Sequence, residues 1–445
     1  MSGFPPHWIG VRSGWEEMTS WGDALVHLPI HHLKTHALVI GATGSGETTL
    51  LHHLMVQDIV AGHSLVILDL HGDQVAVALE LCAGNVDPAK IALFDLREKR
   101  NPQGFNPLFG AGDPYFRALG VLDVVAAESD SWGVQLAETL RNGVMLLAEA
   151  DSSLPAIERL FYDAEFRLSL IQKCSSENVS AFWKRYGQLS PDKQSSMATP
   201  VLNKVSLLLA TDSLRKTLGH PAPLDLGKHI NTPGSVTLVS LASDELHSAG
   251  RMMGSLMLSS ICREIFSRVH VPESKRVPVR LYVDEFEHFG LKEFENILAE
   301  GRRFGLSLCL AHQTLAQLSP RMRSMILNNV GVKLVFRTGR EDSAVLSKDL
   351  TGDPKLLDIS GLPVGEAILA VRGYEPFQVE INAPMFSDVG VRSPAAKDLI
   401  RLLQARNAAA VEREVSPTAN LKPPVEPKSD KPRSAGSKVQ LEDWL

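Results

Sequence analysis

The stretch ALVIGATGSGETTLLHHL, residues 37–54, constrains the fold more than any other part of the chain. Four aliphatic residues lead into a glycine-rich turn, and the turn leads into an amphipathic pattern. Ala37–Gly41 reads as a buried strand. Thr48–Ala61 reads as a helix with Leu51, Leu54, Met55 and Ile59 on one face and Gly62 as its stop. Glycines between strand and helix let successive backbone N–H groups turn inward, and the helix adds its positive end. The convergence point suits a phosphate.

Gly41-Ala42-Thr43-Gly44-Ser45-Gly46-Glu47-Thr48 matches the pattern G-x-x-x-x-G-K-[ST] at every fixed position but the lysine, where Glu47 stands. The expected ligand is ATP with Mg2+. Gly41, Ala42, Thr43, Gly44, Ser45, Gly46, Glu47, Thr48 and Thr49 face the nucleotide, and the Thr48 hydroxyl is placed for the metal.

A second motif supports the first. Val279-Arg-Leu-Tyr-Val-Asp284-Glu285 is an apolar strand ending in two carboxylates. Beside a phosphate loop, one acid orients the Mg2+ shell and the next polarises the attacking water. Asp284 suits the metal and Glu285 the catalytic role. Further on, LCLAHQ puts Gln313 at another strand tip, where it can sense the γ-phosphate or its water. Arg302 and Arg303 are candidates to reach into a neighbouring subunit's site and neutralise transition-state charge, with Arg337 and Arg340 competing for that role. His312 reads as a packed or hydrogen-bonded histidine.

Aliphatic runs at 65–70, 91–96, 236–241, 279–284, 306–310, 332–336 and 367–371 alternate with helical patterns, which implies an α/β fold with a mainly parallel sheet. From 113 to 230 the strand signal vanishes and helical patterns such as VLNKVSLLLA take over. The expected organisation is an N-terminal segment (1–34), a nucleotide-binding domain in two pieces (35–112 and 231–390), an inserted all-helical domain (113–230), a C-terminal helix (391–415) and a disordered linker with a terminal peptide (416–445). Residues 416–438 hold five prolines and a net basic charge, and the chain ends in VQLEDWL. Leu441, Trp444 and Leu445 would be the anchors of a tethered partner-binding peptide.

With 445 residues and 44% hydrophobic content, two or three domains with ordinary cores are expected. A net charge of −6 excludes a uniformly basic surface, although a basic channel lining remains compatible with it. Cys82, Cys174, Cys262 and Cys309 are scattered without metal-like spacing and read as reduced thiols. No run is apolar and long enough for a membrane span. The expectation is a cytoplasmic protein, peripheral at the inner membrane only through a partner.

GATGSGETT, LDLHGD (68–73), GFNPL (104–108), LYVDE, GRRFGLSLCLAHQ and NNVGVKLVFR together resemble the HerA–FtsK superfamily, and within it the type IV secretion and conjugation coupling proteins. The resemblance spans about residues 35–385. It implies a RecA-like P-loop core with a helical insertion, a hexameric ring, and DNA moved through its centre by ATP hydrolysis. The family's roles fall on Thr48, Asp284, Glu285 and Gln313, and on Arg302 or Arg303. Arg141, Arg159, Lys184, Arg185 and Lys204 are candidate DNA contacts on the helical insertion. Relaxosome, secretion or nuclease partners follow from the branch of the family. The alternatives are a HerA-type helicase-translocase acting with a nuclease in repair or phage defence, and a non-hydrolysing assembly module.

Glu47 sets this chain apart. It removes the cation that holds the β- and γ-phosphates and adds like-charge repulsion of several kcal/mol at roughly 4 Å and an effective dielectric near 20. Weak nucleotide binding with turnover nearly abolished is the expectation. Two explanations stand: a natural pseudo-ATPase, or a charge reversal introduced into a working one. Retention of Thr48, Asp284, Glu285, Gln313 and the arginines favours the second.

Overall fold

Strands form where β-branched and aliphatic residues run together, and in chain order they are His7–Arg12 (β1), Leu25–Leu28 (β2), Ala37–Ile40 (β3), Ser64–Asp69 (β4), Ile91–Asp95 (β5), Val236–Ser240 (β6), Val279–Val283 (β7), Leu306–His312 (β8), Val332–Val335 (β9), Glu366–Val371 (β10) and Phe377–Glu380 (β11). The structure is a computed structural model that describes residues 7–12, 25–28, 34–110, 112–129, 131–289, 291–381 and 393–415. The rest of the N-terminal segment and the whole 416–445 tail, LEDWL included, lie outside the described residues.

The strands build one 11-stranded sheet in the order β2-β1-β11-β10-β9-β3-β8-β7-β4-β6-β5. From β9 to β5 all neighbours are parallel. Strands β3, β4, β6, β7 and β8 are buried along their whole length, as strands covered on both faces must be. Their near-continuous apolar sequences are the reason they were legible. Beyond β9, strands β10, β11, β1 and β2 add an antiparallel extension. Sequence patterning found β10 but not β1, β2 or β11, because short strands of mixed polarity carry no distinctive run.

Side-chain alternation divides the core between the two faces. Leu38, Ile40, Val66, Leu68, Leu281 and Val283 join one cluster, which continues into the helical segments between β5 and β6. Ala37, Val39, Leu65, Ile67, Tyr282 and Cys309 join the other, together with Leu50, Leu51, Leu54, Met55 and Ile59 of helix Glu47–Val60. That helix ends at Ala61, followed by Gly62 with φ +71°. Between Asp95 and Val236 every regular element among the described residues is helical, from Pro114–Ala127 to Leu226–Ile230. Helix Pro394–Val415 packs back at the β5 edge of the sheet, against helix Asp73–Cys82, where Leu399 and Leu403 join the second cluster.

Among the described residues, no helix is long and apolar enough to cross a membrane. All four cysteines are free, and Cys82, Cys262 and Cys309 are buried.

Candidate functional site

The sheet order places β8 between β3 and β7. The C-terminal ends of these three parallel strands therefore lie side by side, where ligands of open α/β sheets bind. After β3 comes the glycine loop, after β7 come Asp284 and Glu285, and after β8 comes Gln313. A cavity of about 570 Å³ opens there, lined by Thr43, Gly44, Gly46, Glu47, Thr48, Thr49, Asp284 and Gln313, with Leu51, Val364, Gly365 and Ile381 closing its sides.

The loop is pinned by its backbone. The Gly41 N–H donates to the His312 carbonyl at 3.3 Å and the Ala42 N–H to the Arg337 carbonyl at 2.7 Å. The Gly365 N–H donates to the Ser45 carbonyl at 2.9 Å. At Gly46, φ is +121°, a conformation that side chains rarely adopt. A Cβ on Gly41 would lie 2.5 Å from Ser45 Oγ and 2.6 Å from Phe336 Cβ, so the loop closes only around a glycine there.

Glu47 is the first residue of its helix. A helix start favours negative charge, yet the Glu47 carboxyl folds back into the loop. Ser45 Oγ donates to Glu47 Oε1 at 3.2 Å. Burial pushes the Glu47 carboxyl up to about 8, helped by the nearby Asp284 and opposed by the Ser45 and Gly41 hydrogen bonds. At neutral pH it is therefore mostly protonated. The repulsion expected from a fixed carboxylate is lessened by this shift, which partial burial against the loop causes. The missing cation is not replaced: no Lys, Arg or His among the described residues lines the cavity.

Asp284 follows β7, and its Oδ2 accepts from Gln74 Nε2 at 2.7 Å. Burial, then Glu285 and Asp69, push its carboxyl up to about 6. Asp69, at the end of β4, is buried and accepts from the backbone N–H groups of His71, Gly72, Gln74 and Val75 at 2.8–3.0 Å. It thereby shapes the turn that holds Gln74 on Asp284. Sequence reasoning quoted Asp69 within LDLHGD but gave it no role, and it passed over Gln74. A buried acid at a strand end before a His-Gly turn was the available signal.

Glu285 adopts a left-handed backbone, φ 50° and ψ 47°. Its Oε1 accepts from Gln313 Nε2 at 3.2 Å, and Gln313 Oε1 accepts from Thr43 Oγ1 at 3.2 Å. His71 and His288 stand 3.8 and 3.9 Å from Glu285 Oε2. His312 is buried, stacked near Phe286, with its Nδ1 2.9 Å from Glu287 Oε2.

The donor set fits a divalent cation. A hydroxyl (Thr48) and a carboxylate (Asp284) share a cavity where acidic groups crowd without a cationic side chain, and hard oxygen donors suit Mg2+. Arg302 and Arg303 are not brought to this cavity. They precede β8, whose seven residues lead to the Gln313 end, so about 23 Å of strand separates them from it. Their surroundings are another basic group: Lys34, Arg276, Arg302 and Arg303 line one pocket with Glu273. Arg337 lies nearer the loop, since its carbonyl holds Ala42.

Two family profiles match the chain. The type IV secretion-system coupling protein DNA-binding domain matches residues 23–77, and the TraM recognition site of TraD and TraG matches residues 278–354. The first contains the glycine loop and the second contains Asp284, Glu285 and Gln313. These matches, with the relatives below, give the chain a likeness to the HerA–FtsK superfamily. Within this superfamily its likeness is to coupling proteins and HerA together. The type 4 coupling protein DotL of Legionella pneumophila is 21% identical over 346 residues, 64% of this chain and 44% of DotL. The DNA double-strand break repair helicase HerA of Saccharolobus solfataricus is 24% identical over 361 residues, 77% of this chain and 63% of HerA. The chain thus spans less than two thirds of either relative's length. Among solved structures, the plasmid coupling protein TrwB in complex with ADP and Mg2+ superposes with a TM-score of 0.59 at 19% identity, covering 88% of this chain and 98% of TrwB. VirB4 of Thermoanaerobacter pseudethanolicus gives 0.57 at 13% identity, covering 86% and 97%. The chain accordingly has the RecA-like P-loop fold of TrwB.

Proposed function

We propose that this chain is the motor subunit of a ring that translocates DNA in conjugative transfer or type IV secretion, with hydrolysis suppressed by Glu47. One observation carries this: Thr43, Gly44, Gly46, Glu47, Thr48, Thr49, Asp284 and Gln313 line a single cavity, Gln313 holds Glu285 beside it, and the cation position alone departs from the motif. ATP would lie in the glycine loop. Thr48 and Asp284 would hold Mg2+, which supplies charge neutralisation at the phosphates when bound. Glu285 would accept the proton of the attacking water, and Gln313 would orient Glu285.

Residues 35–112 and 231–390 act in this reading as the nucleotide-binding domain, and 113–230 as a helical domain on the opposite sheet face from helix Glu47–Val60. Because Arg302 and Arg303 stand at the far end of β8, they would serve a neighbouring copy's site, which supports a closed ring, a hexamer as in the family. DNA contact through Arg141, Lys184 and Arg185 is compatible with their exposure, whereas Arg159 is engaged by Asp163 at 2.8 Å. Relaxosome or secretion partners, and peripheral residence at the inner membrane through them, belong to the same reading. The match to HerA keeps a second reading open, a helicase-translocase paired with a nuclease. A non-hydrolysing assembly module is the outcome if Glu47 is the working residue.

The test is DNA-stimulated phosphate release by the chain as it stands, by Glu47→Lys and by Glu47→Gln. The expected result is activity in Glu47→Lys alone. Equal release by all three would overturn the assignment of Glu47 as the block.

A further inference from the structure

We propose that Asp58, Arg280 and Tyr282 form a positioning clamp that sets where Thr48 stands relative to Asp284; this rests on the nucleotide-site reading above. Asp58 lies in the last turns of helix Glu47–Val60 and has no exposed surface. Arg280 Nη1 donates to its Oδ1 at 2.7 Å and to its Oδ2 at 2.6 Å. The Tyr282 hydroxyl donates to Oδ2, and His63 Nδ1 lies 2.8 Å from Oδ1. Arg280 and Tyr282 are also buried, at 8% and 1% exposure.

The placement follows from two periodicities. Along β7, residues Arg280, Tyr282 and Asp284 recur every second position and so share one face. Along the helix, Thr48, Leu51, Met55 and Asp58 follow three- and four-residue steps and so share one stripe. The ten helical steps from Thr48 to Asp58 span about 15 Å. The four strand steps from Arg280 to Asp284 span about 13 Å. The two spans are of nearly equal length, joined by the clamp at one end and carrying the two proposed metal-facing groups, which share the cavity, at the other. Between the ends lie Leu51, Leu54 and Met55, apolar contacts that resist separation but not sliding. The directional bonds at Asp58 fix the register at this end, as the backbone bonds of the glycine loop do at the other. A buried ion pair is a poor source of stability compared with a well-packed apolar pair, so a specifying role suits it better.

The experiment measures binding of fluorescent methylanthraniloyl-ADP with and without Mg2+, on the chain as it stands and on Glu47→Lys. The variants are Tyr282→Phe and the compensated double Asp58→Leu/Arg280→Met, which leaves no buried charge unpaired. Melting curves report whether each is folded. The expected result for the folded double variant is unchanged Mg2+-free affinity and about a tenfold loss of the affinity gained on adding Mg2+. Tyr282→Phe should lose part of that gain. A Mg2+ gain equal to the parent's in a folded variant would overturn the clamp and leave a purely structural ion pair. Should the double variant not fold, Tyr282→Phe decides by the same criterion. If neither parent binds the nucleotide at all, the nucleotide-site reading fails first, and the clamp with it.

Discussion

Gln313 holds the Glu285 carboxylate at 3.2 Å through its amide nitrogen while its amide oxygen is itself held by Thr43 at 3.2 Å. Strand β8 makes this possible, because it alone separates the glycine-loop strand from the strand that ends in Asp284. A relay thus runs from the third loop residue to the proposed general base. An amide donor fixes the orientation of a carboxylate without taking its charge, which is what a base aimed at water requires.

Gln313→Ala should therefore impair chemistry more than binding. In the Glu47→Lys background, kcat is expected to fall about 10–100-fold while nucleotide affinity stays within about threefold. Steady-state kinetics paired with direct binding separates the two. A rise in KM with kcat unchanged would mean that Gln313 serves uniform binding and not Glu285.

Glu285 sits at φ 50° and ψ 47°, one of four non-glycine residues at positive φ among the described residues. A left-handed backbone costs a residue with a Cβ about 1 kcal/mol relative to glycine. Glu285→Gly and Glu285→Ala should both lack activity in the Glu47→Lys background. In denaturant melts, the glycine variant should be the more stable of the two by about 1 kcal/mol. Equal stabilities would show that the left-handed turn stores no strain.

Much of this site was readable in the sequence because its parts are local. A glycine loop between strand and helix, two acids ending an apolar run and a glutamine ending another are each short patterns. The sheet only had to place their ends together. What escaped was everything created by strand order. Arg280 and Asp58 are 222 residues apart, and Gln74 and Asp284 are 210 apart, and neither pair carries a local signature. The upward shift of the Glu47 carboxyl escaped for the same reason, since Val364, Gly365 and Ile381, which help to line the cavity, come from the far end of the chain. Arg302 and Arg303 could be named from sequence, but their distance from Gln313 became visible only with the direction of β8.

The end of strands β3 and β8 away from the site carries a pH-sensitive contact. His36, fully buried before β3, accepts the Leu308 N–H on its Nδ1 at 3.0 Å. That nitrogen can accept only while the ring is neutral. Burial first, and the Arg302 charge second, lower the His36 pKa from 6.5 to about 4. The folded chain thus resists a proton that the unfolded chain takes up near pH 6.5. The stability tied to a neutral His36 is fully present above pH 6.5 and is lost as pH falls from there toward 4. By linkage the loss is on the order of 3 kcal/mol at its limit. His36→Gln keeps an acceptor for the Leu308 N–H and removes the titration. Melting curves at pH 7.5 and pH 5 are expected to show a smaller acid-induced drop for His36→Gln than for the parent, whatever the variant costs at neutral pH. Identical drops would mean that the acid sensitivity of the fold arises elsewhere, for example at a carboxylate that the fold holds low, such as Glu287 beside His312.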